Sequence, residues 1–168
     1  IVMSEKVIKA ALLGLGTVGN GVYKVLKNQR EEMEKKIGAV VQVEKILVRN
    51  LKKAAAKVED PSILTNDWKA ILEDPSIEIV IEVMGGFEPA RTYILEALRA
   101  GKHVVTANKD LVASNGGELL DCAAEHQCDF LFEAAVAGGI PIIRPLKQCL
   151  AGNHIEEVIG IVNGTTNF

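Results

Sequence analysis

Three glycines, Gly14, Gly16 and Gly19, stand at the spacing G-x-G-x-x-G between an apolar run and an amphipathic one. A strand that turns into a helix through such a loop presents bare backbone amides and the positive end of a helix dipole. Gly14 permits the tight turn, Gly16 lets the backbone approach a pyrophosphate, and Gly19 lets the helix pack on the strand. A tight turn without a ligand uses the same residue types, but strand before and helix after is the context that favours a dinucleotide. Two further residues invite chemistry. Lys109 follows the apolar run HVVTAN. An ammonium there can hydrogen-bond a carbonyl or alcohol oxygen, stabilise developing negative charge and, if desolvated, relay a proton. A surface lysine at a turn fits that spacing equally well. Glu133 lies between FLF and AAVAGGIP. A carboxylate beside turning carbonyls suits a hard cation. Capping a helix or pairing with a lysine is the plainer reading, and spacing alone favours it.

These residues need elements to hold them. Apolar runs at 7–13, 40–48, 77–83, 103–106 and 130–132 read as strands. Between them lie helical patterns. One spans 17–36, with Val18, Val22, Val25, Leu26 and Met33 on its apolar stripe and Gly38 as its stop. Short helices are expected at 52–58 and 66–72, and another from Pro89 to Gly101. A helix over 110–127 is expected to break near Asn115-Gly116-Gly117. A helix over 140–150 and a last strand over 155–162 close the pattern. Strands alternating with helices predict a Rossmann-type, doubly wound α/β fold with a mostly parallel sheet. Residues 1–150 read as this domain and 151–168 as the start of a second.

In such a sheet ligands bind beyond the carboxyl ends of the strands. The second strand ends in Arg49-Asn50, where an NAD site usually carries an acidic residue for the ribose. A guanidinium there matches a 2′-phosphate, so NADP is expected, with NAD tolerated. A solvated cation at a strand end is the competing reading. The third strand leads into Gly85-Gly86, suited to positive φ or to close approach by a ligand.

The bulk numbers set limits. The chain has 168 residues, 48% hydrophobic and 24% charged, with a net charge of −3, the balance of an ordinary globular domain. No basic surface is implied, so nucleic acid is not an expected partner. No apolar run reaches the ~18 residues of a membrane helix, and the first residues lack a signal pattern. Cys122, Cys128 and Cys149 show no Cys-x-x-Cys spacing and read as free thiols of a cytoplasmic protein. Cys149, among Ile143, Leu146 and Leu150, reads as a buried small hydrophobe. The three histidines have no metal-binding spacing.

Five segments occur in a telling order: GLGTVGNGV, VIEVMGG, GKHVVTANKDLVA, FEAAVAGGIPIIRPL and GIVNGTTNF. Together they resemble the homoserine dehydrogenase family along nearly the whole chain. The resemblance implies NAD(P)-dependent interconversion of L-homoserine and L-aspartate 4-semialdehyde, on the route to threonine, methionine and isoleucine. It implies that Leu15, Thr17 and Val18 line the cofactor loop with the glycines. It further makes Arg49 a cofactor phosphate contact, places Gly85 beside the cofactor, and makes Lys109 the active-site lysine. Glu133, with the backbone oxygens of Val136, Gly138 and Ile140, matches the family's sodium site. Gly164 falls where the returning segment meets cofactor and substrate. The family continues into a substrate and dimerisation domain with a second lysine, so a homodimer is expected of the full-length protein and no turnover of this chain alone.

Two rivals remain open at this level. A phosphorylating semialdehyde dehydrogenase needs a cysteine nucleophile, and the position of Gly164, where that thiol would sit, has none. A non-catalytic NAD(P)-sensing module needs neither Lys109 nor the Glu133 loop.

Overall fold

A computed structural model describes residues 6–160. Among these residues one parallel sheet contains β1 (Val7–Leu13), β2 (Val40–Leu47), β3 (Leu64–Thr65), β4 (Ile77–Glu82), β5 (His103–Thr106) and β6 (Phe130–Leu131). Their order is β3-β2-β1-β4-β5-β6. The flanking helices are α1 (Thr17–Asn28), α2 (Arg30–Ile37), α3 (Leu51–Ala55), α4 (Lys69–Leu72), α5 (Ala90–Arg99) and α6 (Lys109–Glu125). This is the doubly wound Rossmann-type architecture that the alternating pattern predicts.

The apolar second half of β1 has a direct reason. Ala10, Ala11, Leu12 and Leu13 have no exposed surface. Leu12 packs with Leu15, Ile46 and Ala54, while Ala11 and Leu13 belong to a larger cluster with Ile94, Leu98, Leu111 and Leu119. A central parallel strand sends apolar side chains to both covered faces, each leucine contributing about 1.5–3 kcal/mol by burial. Register then aligns the strand ends. Leu13 pairs with both Leu47 and Glu82, and Glu82 pairs with Thr106. The loops after β1, β2, β4 and β5 therefore leave the sheet side by side. Chain direction across the sheet reverses between β1 and β4, the place where such folds open a crevice.

Several local expectations are corrected. The helix expected over 17–36 divides at Gln29, whose φ −105 and ψ 20 leave the helical region. Beyond that point only Met33 of the apolar stripe remains, half-buried, and α2 buries no residue fully. The break expected near Asn115-Gly116-Gly117 is absent, and α6 runs straight through it. Leu111, Leu119, Cys122 and Ala123 are buried along α6, and that packing outweighs a glycine cost of about 1 kcal/mol each. The helix expected over 140–150 shrinks to 143–149 and ends as a π-type turn, Pro145–Cys149. Pro145 has no N–H for a regular α-helical bond. Instead the Leu150 amide reaches the Pro145 carbonyl at 3.0 Å. Cys149 is exposed rather than buried, because that turn buries no residue. The strand expected over 155–162 is irregular and exposed over 155–160, where no strand among the described residues pairs with it, and 161–162 lie outside the described residues. The two-residue edge strand β3 was too short to be read from the sequence.

Candidate functional site

The loop after β1 explains its own glycines. Gly14 has φ +101, and a side chain there would stand 3.2 Å from the Val83 carbonyl. At Gly19 a Cβ would fall 2.1 Å from the Gly14 carbonyl oxygen, so only glycine lets α1 close on the loop. Gly16 differs: a Cβ there would meet nothing within 4 Å. Gly16 is also the N-cap of α1, with no side-chain cap and no acidic residue in the first turn. The first amides of a helix have no intrahelical partner, so this end offers uncompensated donors to an anion.

The loop forms one wall of a crevice of about 680 Å³ at the β1–β4 reversal. The adjoining side, after β2, is basic: Arg49, Lys53 and Lys57 all line it. Asn50 organises this side, its Oδ1 accepting the Lys53 amide at 2.9 Å to cap α3. Lys57 donates to the Leu15 carbonyl at 2.7 Å, tying α3's far end to the glycine loop. The remaining wall contains Met84, Gly85, Glu88 and Tyr93. Glu88 is occupied locally: its carboxylate accepts the Thr92 hydroxyl at 2.7 Å, which, with the Thr92 amide and Arg91, holds its pKa below the ordinary value. Tyr93 stacks on Trp68 at 4.5 Å. A second cavity, of about 230 Å³ between α1 and β2, lies away from the carboxyl ends of the strands.

Beyond β4 and β5 lies a buried polar group of residues. Glu82, Thr106 and Asn108 are all buried and joined by hydrogen bonds. Asn108 Nδ2 donates to the Gly86 carbonyl at 2.6 Å, and its Oδ1 caps α6 through the Leu111 amide at 3.2 Å. Gly85 and Gly86, at φ 74 and 76, adopt the positive φ their residue type allows. Lys109, the first residue of α6, is exposed. It stands next to Asn108 and hence beside the Gly86 loop, though outside the lining of the crevice itself.

Glu133 acts as a helix cap. Its Oε1 accepts the amides of Ile142 at 2.5 Å and Ile143 at 3.0 Å, and its Oε2 that of Arg144 at 2.7 Å. These bonds, that from Ile142 foremost, hold the carboxyl below the usual carboxylate range. The intervening loop curls through positive φ at Ala137 (55) and Gly138 (61). Among the described residues no group of three or more His, Cys, Asp and Glu side chains has metal-binding geometry.

Comparison with known proteins gives this geometry a family. The model for "Homoserine dehydrogenase, NAD binding domain" matches residues 14–133, and a second homoserine dehydrogenase model matches 141–168. The chain belongs to the homoserine dehydrogenase family. It is 47% identical to the Bacillus subtilis homoserine dehydrogenase over 97% of this chain and 38% of that protein. It is 48% identical to the Corynebacterium glutamicum enzyme over 94% of this chain and 35% of that protein. The crystal structure of a Thiobacillus denitrificans homoserine dehydrogenase superposes with a TM-score of 0.83 at 46% identity, covering 89% of this chain and 34% of that one. The chain thus spans little more than a third of these relatives and corresponds to the family's nucleotide-binding region.

The structure brings part of the sequence-derived site together. Gly14, Leu15, Gly16, Arg49 and Gly85 line one crevice. Gly19 lies buried beneath it, and Thr17 and Val18 are exposed at the start of α1. Glu133, Val136, Gly138 and Ile140 lie outside the crevice lining, after β6, and Gly164 lies outside the described residues. Sequence reading missed Lys53, Lys57, Glu82 and Asn108. The signal for Asn108 was available, an asparagine just ahead of a helix. Glu82 was harder to single out, since IEIVIE reads as a half-alternating strand.

Proposed function

We propose that this chain is the nucleotide-binding part of an NADP-preferring homoserine dehydrogenase, which interconverts L-homoserine and L-aspartate 4-semialdehyde on the route to threonine, methionine and isoleucine. Gly16 carries the reading. Gly14 and Gly19 are crowded by the protein itself, whereas Gly16 is bare where the protein leaves space. A bare backbone facing a crevice suits close approach by a ligand's diphosphate. When bound, the nicotinamide nucleotide supplies or takes up the hydride. The chain's own residues do the rest. Amides of Gly16 and the first turn of α1 hold the diphosphate, with Leu15, Thr17 and Val18 alongside. Arg49 and Lys53 pair with a 2′-phosphate, an anchor that NAD lacks. Gly85, with Gly164, flanks the nicotinamide. Lys109 hydrogen-bonds the substrate oxygen, stabilises its developing charge and passes the proton.

Glu133 and the backbone oxygens of Val136, Gly138 and Ile140 form the proposed Na⁺ site. The curled loop at Ala137 and Gly138 supports it, and a carboxylate's two oxygens offer about four lone-pair positions, more than three amides use. Residues 1–150 are read as the nucleotide domain and 151–168 as the start of a substrate and dimerisation domain. Turnover then belongs to the longer protein that carries this chain, as a cytoplasmic homodimer.

Trp68, the chain's single tryptophan, stacks on crevice residue Tyr93 and supplies the assay. Its emission overlaps the absorption of reduced nicotinamide, so binding quenches it. Titration is expected to show NADPH binding more tightly than NADH, with Arg49→Ala removing about 1.5–3 kcal/mol from NADPH alone. An unchanged NADPH affinity would remove Arg49 from the phosphate role, and binding of neither nucleotide would overturn the reading.

A further inference from the structure

Glu82 is a carboxylate with no exposed surface, and the chemistry above makes no use of it. A carboxylate stays buried only where donors meet its lone pairs. Oε1 of Glu82 accepts the amides of Met84 at 2.8 Å and Gly85 at 3.2 Å, and Oε2 accepts the Thr106 hydroxyl at 2.6 Å. Thr106 Oγ1 accepts the Asn108 amide at 3.0 Å, and Asn108 Nδ2 returns to the Gly86 carbonyl at 2.6 Å. The bonds close a ring: Glu82 to the loop at 84–86, across to Asn108, and back through Thr106. One side of the ring is the crevice wall at Met84 and Gly85. The other is the cap of α6, whose first residue is Lys109.

We propose that Glu82 is a positioning residue: through Thr106 and Asn108 it fixes the spacing between the nucleotide wall at Gly85 and Lys109. The inference rests on the homoserine dehydrogenase reading of Gly85 and Lys109. The residue types fit the task. Three donors converge on Glu82, and only an acceptor-only group meets all three. A glutamine would turn its NH₂ toward one of them. Thr106 must donate one way and accept the other, which a hydroxyl does and a valine cannot.

The test uses Thr106→Val, Thr106→Ser and Glu82→Gln in the full-length protein, at temperatures where circular dichroism shows each variant folded. Loosening the ring lets two loops drift by a fraction of their spacing. A misplacement near 1 Å costs about 10²-fold, so that loss is expected in kcat for Thr106→Val. KM for the nucleotide changes far less, and Thr106→Ser restores kcat. A second readout needs no turnover. In the isolated chain, amide hydrogen exchange at Gly85 and Leu111 is expected to rise together in Thr106→Val and to stay slow in Thr106→Ser. A folded Thr106→Val with wild-type kcat overturns the proposal, as does a rise in exchange at Gly85 with Leu111 unmoved. Where Glu82→Gln does not fold, the two Thr106 variants decide. A wild-type protein that does not oxidise homoserine refutes the functional reading; the paired exchange then still decides whether the ring couples the two loops.

Discussion

Gly16 and Gly19 belong to one short motif, yet substitution separates what each contributes. At Gly19 a methyl group would meet backbone, which cannot swing aside as a side chain does. Gly19→Ala is therefore expected to cost at least the ~1–3 kcal/mol typical of overpacking, read as a fall in thermal midpoint. At Gly16 a methyl group meets no protein atom. Gly16→Ala is expected to keep the wild-type midpoint while weakening NADPH binding by about tenfold or more, some 1.4 kcal/mol. Equal loss of stability in both variants would contradict the division. The tight turn at Gly14 and the close helix approach at Gly19 were legible in the sequence because a glycine's meaning in a strand–turn–helix is local. Glu82 and Lys57 were invisible for the opposite reason. The partners of Glu82 include Thr106, and that of Lys57 is Leu15, each far along the chain. No spacing rule joins such pairs.

At the level of elements, the strands were legible and the helix ends less so. Central parallel strands bury both faces, which leaves apolar stretches such as Ala10 to Leu13 of β1 and Ile79 to Ile81 of β4. Helix limits depend on what packs beside them. α6 continues through two glycines because its buried face holds it, whereas α2, which buries no residue fully, parts from α1. The segment 143–149 depends on a single side chain, Glu133, for its N-terminal amides. Those bonds favour the carboxylate, so its folded pKa lies below the ordinary glutamate value of about 4.3. The stabilisation is fully present above that ordinary value and is lost as pH falls through the lowered folded one. The amide shifts of Ile142, Ile143 and Arg144 are expected to titrate together, with a midpoint below that of an unperturbed glutamate. In Glu133→Gln that common transition disappears. A midpoint at or above the ordinary value would show that the cap is not formed in solution.

For the whole molecule, the order β3-β2-β1-β4-β5-β6 places every proposed contact that lies within the described residues after a strand's carboxyl end. Alternation of strands and helices made that architecture readable, because parallel strands need crossovers. The last residues were not readable in the same way. Among the described residues no strand lies beside 155–160, and a strand exists only by pairing. The chain matches little more than a third of its relatives' length.

A crystal structure of the chain with NADPH tests the central claim most directly. The account predicts the diphosphate against the amides that follow Gly16, the 2′-phosphate against Arg49 and Lys53, and the nicotinamide toward Gly85 on the side of Lys109. A nucleotide seated in the smaller cavity between α1 and β2, or lying in the crevice with its nicotinamide end at Arg49, would contradict it.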